Sequence, residues 1–83
     1  MLEEAQARIY IAARVREAKQ VEELLTRHGI DYDVQVEPYI NRLFGILPVE
    51  YKGAVFLVPM AHGDFCRNLL RGAGLTKGLI DEE

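Results

Sequence analysis

The chain has 83 residues, of which 49% are hydrophobic, with a single cysteine and a formal net charge of −3 from 13 acidic and 10 basic side chains. That length gives one domain, residues 1–83, that buries only roughly 60–65% of its unfolded surface, so oligomerisation is a common remedy. The acidic balance and scattered basic residues argue against nucleic acid, no apolar run reaches the roughly 20 residues of a membrane helix, and Cys66 alone makes no intrachain disulfide.

Met1-Leu2-Glu3-Glu4 is acidic and lacks the basic-then-apolar order of a secretory leader, so a cytoplasmic location is expected. Residues 1–7 read as a flexible lead-in. The first strand is expected over Arg8–Ala13, with Ile9, Ile11 and Ala13 alternating with Tyr10 and Ala12. A helix follows over Arg14–His28, where Val15, Ala18, Val21, Leu24, Leu25 and His28 recur at spacings of three and four and form one apolar stripe. Gly29 ends it. Ile30–Glu37 alternates strictly, with Ile30, Tyr32, Val34 and Val36 on one face and Asp31, Asp33, Gln35 and Glu37 on the other. It reads as a strand with one packed and one wet face. Pro38 is expected to stop the pairing.

Gly53–Val58 is an almost unbroken apolar run and predicts a central strand. A second helix is expected from about His62 or Asp64 to Ala73, with Phe65, Cys66, Leu69, Leu70 and Ala73 inward. Residues 76–80 offer a short fourth strand, and 81–83 a solvated tail. Residues 8–30 and 53–75 align without a gap as two strand-then-helix units: Gly29-Ile30 lies over Gly74-Leu75 and Leu24-Leu25 over Leu69-Leu70, a shift of 74 − 29 = 45 residues. The order βαββα(β), with right-handed crossovers, predicts an α+β, ferredoxin-like sandwich with both helices on one face of an antiparallel sheet. A missing or short last strand would leave a sheet edge open to a neighbouring subunit.

The connection 38–52 is too long for a hairpin turn, and long connections are usually functional or mobile. Ile40, Leu43, Phe44 and Leu47 fall at i, i+3, i+4 and i+7, one face of a short helix. Two readings stand side by side: the segment caps the small core, or it is a contact surface for a second subunit or partner protein.

Few residues suggest chemistry. His62 and Cys66 stand four apart on the second helix and form a possible metal pair, but two ligands are not a site, and Cys66 lies on the inward stripe where a thiol serves as a small hydrophobe. The chain has no serine, and nothing orients a Cys66/His62 pair for nucleophilic work. Asp31 and Asp33 fit a solvated strand face. Gly72–Gly78 follows a helix rather than opening one, so it is not a phosphate loop, although Lys77 is available to an anion. No enzyme activity and no cofactor are expected.

Residues 8–30, whose helix closes on Leu-Leu-Thr-Arg-His-Gly-Ile, together with Val55–Leu70, resemble a small bacterial family described as prokaryotic signal-transducing proteins. The resemblance implies a ferredoxin-like fold related in shape to the PII signalling proteins. Glu50-Tyr51-Lys52-Gly53-Ala54 is similar to the Tyr-Arg-Gly-Ala stretch of the long PII loop between the second and third strands, with Tyr51 on the tyrosine that is nucleotidylated in some members and Lys52 in place of arginine. Residues 72–78 do not reproduce the PII nucleotide loop, so nucleotide binding is not implied. The expected function is a regulatory or protein-interaction domain that works as a homo-oligomer or with a partner through Phe44, Leu47 and Tyr51. The alternative is a PII- or ACT-type small-molecule sensor with its ligand near Arg14, Arg42, Lys52 and Lys77.

Overall fold

The computed structural model describes residues 5–43 and 47–81, in the order β1 (Gln6–Ala12), α1 (Val15–Arg27), β2 (Asp33–Leu43), β3 (Leu47–Pro59), a 3₁₀ turn (Met60–His62) and α2 (Gly63–Gly72). The strands form one antiparallel sheet in the order β1-β3-β2. Val21 and Leu25 of α1 and Cys66 and Leu70 of α2 join Ala7, Tyr10, Phe56 and Val58 in a single buried cluster, so both helices cover the same face. This is the expected ferredoxin-like sandwich. The expected fourth strand is reduced to an antiparallel bridge between Tyr10 and Leu79, flanked by Ile11 N–H donating to Gly78 O (2.8 Å) and Ile80 N–H to Ile9 O (2.9 Å).

The 45-residue repeat holds at the level of hydrogen bonds. Gly29 and Gly74 both have positive φ, 69° and 83°. Gly29 N–H donates to Thr26 O and Ile30 N–H to Leu25 O; in the second copy Gly74 donates to Arg71 O and Leu75 to Leu70 O. Both helices therefore end in the same Schellman motif, closed by a contact between the residue after the glycine and the third-last helical residue. Val21 and Cys66 are equivalent and both fully buried, so Cys66 fills the place of a valine.

The strands depart from the repeat. β1 carries a bulge: Arg8 faces Leu57 and Tyr10 faces Phe56, which leaves Ile9 as an extra residue. A bulge places two successive side chains on one face, and Ile9 and Tyr10 are both buried in the core. The alternation expected for β1 thus reverses after Ile9. Tyr10 and Ala12 point inward, and Ile11 leaves the helix side.

Arg67 lies on the inner face of α2 among the apolar residues of that face. It is 6% exposed, and its guanidinium binds three elements: Nε donates to Ile80 O (2.7 Å), Nη2 to Arg8 O (3.1 Å) and Nη1 to Asp64 Oδ1 (3.3 Å). The Arg8 carbonyl sits where the bulge shifts the register, and the Ile80 carbonyl belongs to the docked C-terminal segment. A planar fork with several donors suits this better than a lysine would. The outer helix faces also differ from expectation. Val15, the first residue of α1, is 74% exposed, and Phe65, the third residue of α2, is 52% exposed with its ring edge-on to His28 at 6.1 Å.

Residues 38–52 depart furthest from the expected structure. They form neither a loop nor a helical turn over the described residues, because β2 and β3 continue as a hairpin arm with every step paired from Glu37–Gly53 to Leu43–Leu47. Pro38 does not stop the pairing; it lies opposite Lys52, and Pro48 opposite Arg42. A proline removes one donor, but in an antiparallel pair only alternate residues donate to a given neighbour. Residues 38 and 42 share one parity, so both prolines fall in pairs that exchange no hydrogen bonds. Met60 N–H, which donates towards β1 at Ala5 O (2.9 Å), fixes the same parity independently.

Three measurements check this account. Gly29→Ala and Gly74→Ala are each expected to cost about 1 kcal/mol in denaturant melts, because alanine resists positive φ. Gly78→Ala is expected to undock the C-terminal segment, since its Cβ would overlap the Ile11 carbonyl, whereas Gly72→Ala, with open space around it, leaves stability unchanged or slightly higher. Arg67→Met is expected to cost roughly 2–4 kcal/mol by stranding the Arg8 and Ile80 carbonyls, and hydrogen exchange at Ile80 should rise with it.

Candidate functional site: the outer edge of β2

The two edges of the sheet are treated differently. The outer edge of β1 is capped by residues 78–80. The outer edge of β2 has no neighbouring strand among the described residues. By the parity above, Asp33, Gln35 and Glu37 bond to β3, while the N–H and C=O groups of Val34 and Val36 point outward. Pro38 and Pro48 each remove one donor from an outer edge of the arm. Prolines there make the arm a poor template for indiscriminate pairing.

The two faces of β2 differ as well. Val34 and Val36, opposite the core residues Phe56 and Ala54, lie on the helix side but are 43% and 68% exposed, because α1 does not reach over them. Tyr32 begins this strip. Its ring packs at 5.7 Å, centroid to centroid, on Phe56, and with Lys19, Glu22, Glu23, Thr26 and Arg27 it lines an open groove of about 430 Å³ between α1 and β2. Burial raises the Tyr32 phenol above its ordinary range, and the neighbouring Glu22 carboxylate adds to the shift.

The opposite face is polar, as expected. Gln6 Nε2 donates to Asp33 Oδ2 (2.6 Å) and Arg8 Nη2 to Glu37 Oε1 (2.7 Å). Each contact reaches from β1 to β2 across β3, whose Val55 and Leu57 are buried on this side. Glu37 thus meets a cation, whereas Asp33 meets a neutral amide. The pair Arg8–Glu37 is half exposed and contributes at most about 1 kcal/mol.

The residues expected to form a site are only partly gathered. Ala12–Ala54 is the last β1–β3 pair and Gly78 meets Ile11, so Arg14, Lys52 and Lys77 all lie at the end of the sheet from which the arm departs, and each is exposed. Arg42, Leu47 and Tyr51 are farther out, in the strands of the arm, where Tyr51 pairs with Tyr39 and Leu47 with Leu43. Phe44 lies outside the described residues. The stretch likened to a PII loop is therefore strand at Tyr51, not loop.

His62 and Cys66 do not make a metal site. His62 is exposed in the 3₁₀ turn before α2, Cys66 is fully buried, and among the described residues no three or more metal-binding side chains converge. Burial pushes the Cys66 thiol up, only partly countered by the Arg67 charge. A buried thiol held protonated is a packing group. Tyr10 is likewise raised by burial, with its hydroxyl donating to Glu17 Oε2 at 3.0 Å.

No family model, no curated protein and no solved structure matches the chain. The generic ferredoxin-like fold is what stands of the resemblance drawn from the sequence. Among the described residues no helix is long and apolar enough to cross a membrane.

The three raised groups set an alkaline limit. Tyr10, Tyr32 and Cys66 titrate higher in the folded chain than their ordinary values of 10.0, 10.0 and 9.0. Their contribution to stability is complete below those values and is lost as pH rises through them. Urea midpoints are expected to stay level to about pH 8.5 and to fall above it, and a thiol reagent at neutral pH should modify Cys66 only at the rate of global opening.

Proposed function

We propose that this chain is a small regulatory interaction domain, without catalysis, that docks a protein partner along the outer edge of β2 and the base of the hairpin arm. One observation carries the reading: Val34 and Val36 present both their side chains and their outward backbone groups to solvent, while the opposite sheet edge is capped by the chain's own C-terminal segment. An unpaired strand with an apolar face is a site for strand addition, in which main-chain bonds supply affinity and alternate side chains supply specificity. The arm lengthens that edge beyond the helices, and Pro38, on β2, restricts which registers a partner can adopt. Val34 and Val36 are next neighbours on one face of one strand, which distinguishes them from the singly exposed Val15, Met60 and Phe65, which need no explanation.

A photo-cross-linking side chain at Val36 is expected to give one discrete adduct in cells, and Val34→Glu to remove it while leaving the melting temperature within a few degrees. The same adduct from a control position at Glu23, on the far wall of the groove, or none from Val36, would overturn the reading.

A further inference from the structure

We infer that the partner segment is an extended strand that alternates apolar and basic residues, and that it is not a second copy of this chain. This rests on the reading of the β2 edge as a docking site and specifies its chemistry. An added strand pairs with the outward groups of Val34 and Val36, so its residues opposite them lie on the helix side, against exposed valine and the Tyr32 strip. Its alternate residues lie opposite Asp33, Gln35 and Glu37. That face of β2 carries no cation of its own between Asp31 and Glu37. Arg8 answers Glu37, but among the described residues Asp33 is met only by the Gln6 amide, and Asp31 is exposed. Basic side chains are the complement, and opposite charges directly across a pair of strands are favourable where like charges are not.

Self-pairing fails on the same residues. A two-fold pairing of β2 with itself centred on Gln35 sets Asp33 against Glu37 of the second copy. Centred on Val34, it sets Asp31 against Glu37. Centred on Val36, it places Val34 opposite Pro38, which has no N–H to give. Each register that aligns the valines therefore meets either acid against acid or a missing donor. Charge and proline together act against the copy and leave a basic strand as the occupant.

The test uses three synthetic heptapeptides with the full chain: one alternating lysine and valine, one alternating glutamate and valine, and the first again with N-methyl groups on the alternate amides that would face β2. The lysine–valine peptide is expected to bind roughly tenfold more tightly than the glutamate one, to shift and protect the Val34 and Val36 amides, and to weaken with salt. The N-methylated peptide should lose binding, which a merely electrostatic contact would not do. Asp33→Lys, at an exposed position, should reverse the preference, with its free amide spectrum as the check on folding. Equal binding of lysine and glutamate peptides at Val34 and Val36 would overturn the basic partner and keep the edge as a docking site. Shifts confined to other surfaces, or none from any peptide, would overturn both.

Discussion

The hydrogen bonds of the Arg67 guanidinium hold together the parts of this fold that the backbone alone leaves loose. β1 is bulged at Ile9, and the Arg8 carbonyl at that register shift accepts from Nη2, while Nε holds the Ile80 carbonyl of the C-terminal segment. The bulge lets Ile9 and Tyr10 fill the core together, which matters in a chain this short. The segment that Arg67 secures then covers the outer edge of β1. With one edge closed in this way, the other edge, on β2, becomes the surface with bonding capacity to spare.

The cost of this arrangement falls on one residue. A buried cation is favourable only while its hydrogen-bonding partners are in place, and here those partners include backbone carbonyls from two separate segments besides the Asp64 carboxylate. Helix α2, the bulged strand and the C-terminal segment are thereby coupled, and none of them can shift without stranding a donor or an acceptor. Gly78 reinforces the coupling because its missing side chain allows the segment to lie directly on the Ile11 carbonyl. Among the described residues the β2 edge has no comparable restraint.

Much of the scaffold could be read from residue order. Apolar spacing located both helices, and the gapless 45-residue repeat set Gly29 over Gly74 and Leu24-Leu25 over Leu69-Leu70, since these depend on local hydrogen bonding and on helical periodicity. The alternation of Ile30–Glu37 likewise assigned the correct faces to Val34, Val36, Asp33 and Glu37. It did not reveal that the valines would be exposed, because alternation reports direction and not whether a helix lies above. The arm departs from its local pattern for a related reason. The spacing of Ile40, Leu43, Phe44 and Leu47 matches a helix turn, and Pro38 resembles a stop, yet an edge strand tolerates proline wherever its missing donor faces outward.

By itself the sequence determined the order of the main elements, the helix ends and the polarity of the two faces of β2 up to Glu37, because these follow from the conformational preferences of glycine and from periodicities of two and 3.6 residues. Tertiary structure alone decided the bulge, the burial of Arg67, the capping of β1 and the exposure of β2. Each of these depends on contacts between residues far apart in the chain: Arg67 with Arg8, Ile80 with Ile9, and Pro38 with Lys52. No local pattern encodes which of two sheet edges will be left unpaired, since that is set by where residues 78–80 dock.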